Sequence, residues 1–315
     1  MRIAVISGGR SSEAEVSRSS AAQVIAALRA RGHSCTELES DEELWEALRT
    51  GGYDVAFLAL HGRGGEDGTV QGVCELLGVP YTGSDVLASS LCFNKAMAKR
   101  VLVAAGVPTP AWRVVARTVD ADAALAAMEA AAATLGLPLV VKPNRSGSTI
   151  GLSVVADITD LKAAFREAAW HDDVLCEQMI SGVEVTIGII GHNPATALPT
   201  LEIVSHRPLY DYAAKYTAGQ SEHIIPARLP AELRERAAEV GLAAHAALGC
   251  RAVSRVDLIV APDGTPWVLE VNTIPGLTEL SLLPDAARHA GIAFDELCQR
   301  LVDDALTRRR GEARR

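Results

Sequence analysis

The chain predicts an α/β (α+β) fold in which an open parallel sheet is followed by further mixed units, and three observations carry that reading. Strand and helix patterns alternate over the first third, an antiparallel hairpin with an Asp-Gly turn stands near the end, and the length is 315 residues. A single core usually stops growing at roughly 250–300 residues, so two or three domains are expected.

The elements follow in order. The apolar run Ile3-Ala4-Val5-Ile6 reads as a buried strand, and a helix runs from about Val16 to Arg31, where Gly32 ends it. Val55 to Leu60 is a second strand, closed by a Gly-rich turn. Strands joined by helices make a parallel sheet with crossover connections, so residues 1–93 form an N-terminal α/β unit. A second unit, 94–180, opens with a helix through Ala105 that Gly106 and Pro108 stop, and continues through the alanine-rich run Ala121 to Ala133 to a strand, Leu139 to Lys142. The third, 181–315, holds a strand Glu184 to Ile190, a polar stretch His206 to His223, a helix Pro230 to Leu248, the hairpin Ser254 to Asn272 and a closing helix.

The hairpin carries the most chemistry. If Asp263 and Gly264 are the two central turn residues, Asp257 lies opposite Glu270 and Arg255 opposite Asn272, while Val256 and Leu258 face Val271 and Leu269. One face is then aliphatic, and the other presents two carboxylates and an amide at cross-strand distance. Like charges placed there repel unless a cation separates them. Oxygen-only ligands suit Mg2+ or Mn2+, with phosphate oxygens completing the shell. A solvated strand face, with Arg255 neutralising Asp257, is the competing reading.

Four further segments point to ligands. Lys142 ends an apolar strand and leads into Asn144 to Gly151, a loop able to fold over a polyphosphate, although G-x-x-x-x-G-K-[ST] occurs nowhere. Glu177-Gln178-Met179-Ile180 leads through Ser181-Gly182 to Glu184; such a linker could offer backbone groups to an adenine edge and Glu184 to a ribose, or simply connect domains. Gly8 to Glu15 follows the first strand and opens a helix, where a carboxylate either caps the dipole or receives an ammonium group. His61 to Gly68 sits at the carboxyl end of a parallel strand, where open sheets bind ligands.

Taken together, HGRGGEDG (61–68), the Lys142 loop, YDYAAKY (210–216), RVDLIV (255–260) and LEVNTIPGLTELSLLP (269–284) resemble the D-alanyl-D-alanine ligase family of the ATP-grasp fold, over nearly the full length. The resemblance implies that Lys95 and Lys142 hold ATP phosphates, that Glu177, Gln178 and Ile180 belong to the adenine hinge, and that Glu184 holds the ribose. Asp257, Glu270 and Asn272 match magnesium ligands, with two ions implied. Glu15 matches the carboxylate that receives the first D-alanine's ammonium, in a trio with Ser148 and Tyr216. Arg255 and the Gly276 N–H would stabilise an oxyanion, Ser281 and Leu282 would hold the second D-alanine's carboxylate, and His61 would lie near the reacting centre. The polar stretch from 206 to 223 would be a lid carrying Lys215 and Tyr216, and the presence of both favours a dipeptide product over D-alanyl-D-lactate. A homodimer serving peptidoglycan synthesis is implied in the same way. Gln178, where many relatives have lysine, is a departure.

Composition excludes other classes. A net charge of -9 argues against a nucleic-acid footprint. The six cysteines form no C-x-x-C pair, so neither a disulfide scaffold nor a zinc site is expected. No signal-peptide h-region and no run of about 18 apolar residues is present, so a cytoplasmic protein with no membrane insertion is expected. A nicotinamide dehydrogenase would need the absent G-x-G-x-x-G. A non-catalytic nucleotide sensor would be expected to have lost Arg255, a metal ligand or Lys215. An ATP-grasp ligase for another D-amino acid or D-hydroxy acid, in antibiotic biosynthesis or self-resistance, would keep the ATP residues and alter the substrate pocket.

Overall fold

The computed structural model describes residues 1–11, 13–118, 120–205, 221–278 and 281–312. Its first sheet has the order β2-β1-β3 and is parallel throughout. Strand β1 (Arg2–Ser7) is buried beyond its first residue, as a strand covered on both faces requires. Helix α1 (Ala14–Ala30) buries Val16, Ser17, Ser20, Ala21, Val24, Ile25 and Leu28, one stripe at helical spacing. After β2 (Ser34–Glu39), α2 (Leu44–Gly51) returns the chain to β3 (Val55–Leu58). The strand stops two residues before the expected Leu60.

Helices α3 (Thr69–Leu77), α4 (Val86–Phe93) and α5 (Lys95–Ala104) lead to the second sheet. The capping carboxylate of Asp85 and the amide oxygen of Asn94 each accept a backbone N–H of the helix they open. Strand β4 (Trp112–Val115), helix α6 (Ala121–Leu135), strands β5 (Leu139–Pro143) and β6 (Ser153–Val155), helix α7 (Leu161–Ala169) and strand β7 (Val174–Gln178) build an antiparallel sheet of order β4-β7-β5-β6.

The third sheet has the order β11-β10-β8-β12-β13, from β8 (Val183–Gly191), β10 (Leu201–Ser205), β11 (Ser221–Ile224), β12 (Val253–Val260) and β13 (Pro266–Asn272), with β9 (Ala195–Ala197) paired to β8. Helix α8 (Ala231–Ala247) packs across it, and Gly241 makes the close approach: a Cβ there would lie 3.2 Å from Ile187 Cβ. The chain ends in α9 (Leu282–His289) and α10 (Phe294–Glu312).

The cores do not follow linear boundaries. Leu283, Ala287, Leu297, Leu301 and Val302 from the last two helices share a core with Ile3, Val5 and Phe57 of the first sheet and Val24 of α1. Ala98 and Leu102 of α5 pack with Val185, Val256 and Val271 of the third. The closing helix, expected to complete the third unit, instead covers the first sheet.

Candidate active site

The hairpin sets the site. Arg255 pairs with Asn272, Val256 with Val271 and Asp257 with Glu270, as the two-residue turn predicts. The turn itself is different. Val260 pairs with Pro266 and the Ala261 N–H donates to the Thr265 carbonyl, so three residues, Pro262, Asp263 and Gly264, lie between. Leu258 therefore pairs with Val268, not Leu269, and a bulge next to Leu258 restores the register at Asp257. The two offsets cancel. The bulge frees Leu269 from the ladder, and it lines the cavity beside Glu270, the usual consequence of an extra residue next to a site.

The polar face is a network. Residues i and i+2 of a strand share a face, and Arg255 forks onto Asp257, Nε to Oδ1 at 2.9 Å and Nη2 to Oδ2 at 2.8 Å. Thr186 Oγ1, from β8, donates to Asp257 Oδ1 at 2.6 Å, and Asn272 Nδ2 donates to Oδ2 at 3.1 Å. Glu270 pairs with Lys95 Nζ at 3.2 Å. Arg255 is thus the partner of Asp257, as the competing reading has it. Among the described residues no cluster of three or more His, Cys, Asp and Glu could hold a metal. Two carboxylates and an amide on one face still fit a hard cation whose remaining ligands come from phosphate oxygens.

Between the second and third sheets lies a cavity of about 510 Å³ lined by Lys95, Lys142, Ser146 to Ile150, Glu177 to Gly182, Glu184, Asp257, Leu269 and Glu270. Lys95, the first residue of α5, donates to the Ser146 carbonyl at 2.7 Å. Lys142 Nζ lies 2.6 Å from Glu177 Oε2. Burial works against the Lys142 ammonium, but Glu177 and Glu270 more than offset it and hold its pKa above the usual lysine value. Burial likewise opposes the Glu177 carboxylate, and the two lysines beside it hold its pKa below the usual range. The Gln178 side chain is exposed, its backbone N–H donates to the Ala111 carbonyl, and residues 177–182 line the cavity. Gly182 is required there, because a Cβ would collide with the Val260 carbonyl oxygen.

The 145–151 loop closes the far end. Ser148 and Thr149 have φ of +50° and +61°, which costs about 1–3 kcal/mol at a non-glycine residue and persists where surrounding structure imposes it. The Ser148 hydroxyl donates to Glu13, not Glu15. This corrects the sequence expectation. Helix α1 starts at Ala14, so the residue before it faces the loop, whereas Glu15 sits in the first turn on the exposed side near Arg18. Glu13 is buried at 6 % exposure, and a Cβ on Gly62 would lie 3.1 Å from its Oε2. Gly147 packs on the same oxygen, where no Cβ fits.

His61 joins this end. Its Nε2 lies 3.5 Å from Ser20 Oγ, and burial pushes its pKa below the ordinary histidine value, only partly offset by Glu13. Glu66, which accepts the Gly62 N–H at 2.7 Å, is pushed up to about 8 by burial and then by Glu13. Gly276 lies in the turn after β13, where a Cβ would meet Ser281 Oγ at 2.7 Å. Ser281 Oγ accepts the Thr278 N–H at 3.0 Å, and Leu282 opens α9, buried against Leu201 and Ile203. Lys215 and Tyr216, with the rest of 206–220, lie outside the described residues; the end of the expected lid, His223, is in β11 and bonds Asp285 at 2.6 Å. The sequence offered both Glu13 and Glu15 and the assignment fell on Glu15, while Lys99 and Thr186 were not singled out. Lys99 had a signal, its i+4 spacing from Lys95 on one helix face; Thr186 had none.

Two antiparallel sheets closing on a cavity lined by lysines and strand carboxylates define an ATP-grasp fold, and solved structures agree. A D-alanine–D-alanine ligase from Bacillus anthracis complexed with ATP superposes with a TM-score of 0.84 at 36 % identity, covering 99 % of each chain. The VanG D-Ala:D-Ser ligase of Enterococcus faecalis gives 0.83 at 32 %, covering 96 % of this chain and 99 % of the other. A D-alanine–D-alanine ligase of Desulforamulus reducens is 46 % identical over 311 residues, 97 % of this chain and 99 % of its own. The family profiles "D-ala D-ala ligase N-terminus" and "D-ala D-ala ligase C-terminus" match residues 33–84 and 101–303. The chain belongs to the D-alanine–D-alanine ligase family.

Proposed function

We propose that the protein joins two D-alanines to D-alanyl-D-alanine, converting ATP to ADP and phosphate, for peptidoglycan precursor synthesis. The observation that supports this best is one cavity lined by Lys95 and Lys142, which suit phosphate, and by Ser148, whose hydroxyl donates to the buried carboxylate of Glu13 just behind it. ATP lies with its adenine against residues 177–180, its ribose at Glu184 and its phosphates at Lys95 and Lys142. Asp257, Glu270 and Asn272 are the residues that would hold Mg2+ or Mn2+, which would supply neutralisation of phosphate charge. Glu13, backed by Ser148, receives the first D-alanine's ammonium.

The first carboxylate oxygen takes the γ-phosphoryl group and ADP leaves. The second amine then attacks the carbonyl carbon, the resulting oxyanion is met by Arg255 and the Gly276 N–H, and phosphate leaves as the nitrogen loses its proton. His61, held neutral by burial, is near that centre as a hydrogen-bonding group. Ser281 and the start of α9 at Leu282 take the second carboxylate, and Lys215 and Tyr216 close over the substrates. Positioning and charge stabilisation supply most of the rate. A cytoplasmic homodimer of three units, each centred on one sheet, completes the reading; no described helix is long and apolar enough to cross a membrane.

The test is phosphate release from ATP and Mg2+ with D-alanine, L-alanine, D-serine, or D-alanine plus D-lactate, with products identified by mass. D-alanine-dependent release with D-alanyl-D-alanine formed is the expected result. Turnover only with another acceptor would keep the nucleotide site and overturn the substrate.

A further inference from the structure

Lys99 is outside the cavity yet fully committed. It is 1 % exposed, and its ammonium donates to Glu177 Oε1 at 2.8 Å, Thr109 Oγ1 at 2.7 Å and the Pro110 carbonyl at 3.3 Å, under the Trp112 ring at 5.6 Å. The other Glu177 oxygen belongs to Lys142. Glu177 is itself 1 % exposed, so both its partners act in a medium where water screens little. Thr109 Oγ1 donates onward to the Val268 carbonyl at 2.7 Å, immediately before the bulged Leu269. One ammonium therefore ties α5, the 108–110 linker, β7 and β13 together.

Two cations facing one anion leave an excess positive charge, and only Lys142 of the two lines the cavity. We propose that Lys99 is a positioning residue for the nucleotide phosphates: by neutralising one oxygen of Glu177 it leaves the Lys142 ammonium fixed in place but uncancelled, directed at the anion. Without Lys99, Glu177 and Lys142 form a closed neutral pair and the cavity loses attraction for phosphate while keeping its shape for the base. With Glu177 also made neutral, Lys142 is released and Lys99 becomes dispensable. Burial lowers the Lys99 pKa to about 8, with Glu177 acting in the opposite direction. The inference rests on the nucleotide reading above.

The experiment is calorimetric binding of ADP with Mg2+, and separately of adenosine, to the full chain as wild type, Lys99→Met, Glu177→Gln and the double variant. The readout is the ratio of ADP to adenosine affinity, which cancels any effect on the base. Lys99→Met should lower that ratio by about tenfold or more, and the double variant should match Glu177→Gln to within about twofold. Equal loss of ADP and adenosine in Lys99→Met, or a double variant as poor as Lys99→Met, overturns the inference by making Lys99 a prop of the pocket alone. Should Lys99→Met not fold, the comparison of Glu177→Gln with the double variant still decides, because a large further loss of ADP binding there overturns it. A wild type that binds neither adenosine nor ADP removes the nucleotide reading itself, whereas normal wild-type binding with the wrong ratios removes only the role of Lys99.

Discussion

Two sets of ion pairs, in and behind the wall of the cavity, use the same chemistry in different surroundings. In the Lys99, Glu177 and Lys142 set, the side chains of Lys99 and Glu177 are 1 % and 2 % exposed; in the Lys95 and Glu270 pair they are 10 % and 25 % exposed. A buried pair cannot open without stranding a charge, which costs about 3–5 kcal/mol, so the first set is a fixed part of the wall. The Lys95 and Glu270 pair, its carboxylate a quarter exposed, strands less charge when it opens. Glu270 is therefore able to exchange Lys95 for a cation. The fixed set holds the Lys142 ammonium in place, and the exchangeable set can give way to an ion.

That contrast breaks first on Glu270→Gln. If the carboxylate is needed for its charge toward a divalent ion, turnover should fall roughly 100-fold or more, as it does when a preorganised electrostatic group is removed. Because Glu270 is more solvated than Glu177, the melting midpoint should move by less than it does in Glu177→Gln, which leaves two buried ammonium groups without their carboxylate. Phosphate release at saturating Mg2+, measured beside a thermal scan, checks both. A variant with wild-type turnover removes the metal assignment.

The next largest effect separates Glu13 from Glu15. Replacing a carboxylate that binds an ammonium loses a charge-assisted hydrogen bond of about 2 kcal/mol, so Glu13→Gln should raise the KM for the first D-alanine roughly thirtyfold. Glu15→Gln, on the solvent side of α1, should stay within about twofold of wild type. Equal effects of the two would return the assignment to Glu15. Ser148→Ala should follow at about 1 kcal/mol, roughly fivefold in the same KM, since it removes one support of a carboxylate that remains. A larger effect than that of Glu13→Gln would make Ser148 a direct contact of the substrate.

The same positions show what was legible in the sequence. Period-two alternation put Asp257 and Glu270 on one face, and any register that buries Val256 and Val271 must do so. The turn length was not legible, because Pro262-Asp263-Gly264-Thr265 fits either a two-residue or a three-residue loop, and a bulge at Leu269 has no local signature. Glu13 and Glu15 differ only by where α1 starts, a boundary that local pattern sets to within a residue or two; at a helix N-terminus two residues turn a side chain from the cavity to solvent. Lys99 was legible from its spacing, but its value lies in Glu177, 78 residues away. That α10 covers the first sheet depends on contacts across most of the chain.

The smallest effect concerns Glu66, and its sign follows from burial. Its carboxyl is pushed up to about 8, from an ordinary value of 4.5, by desolvation and by Glu13. The folded state then holds a proton that the unfolded chain releases between those values. Stability from this group is present in full below the unfolded value and is lost as the pH rises through the folded one. Glu66→Gln keeps the acceptor for the Gly62 N–H and removes the titration, so the difference in melting midpoint between variant and wild type should grow in the variant's favour from pH 5 to pH 8. Parallel curves across that range would mean that Glu66 is already charged, and that the buried cluster behind Ser148 carries more negative charge than Glu13 alone supplies.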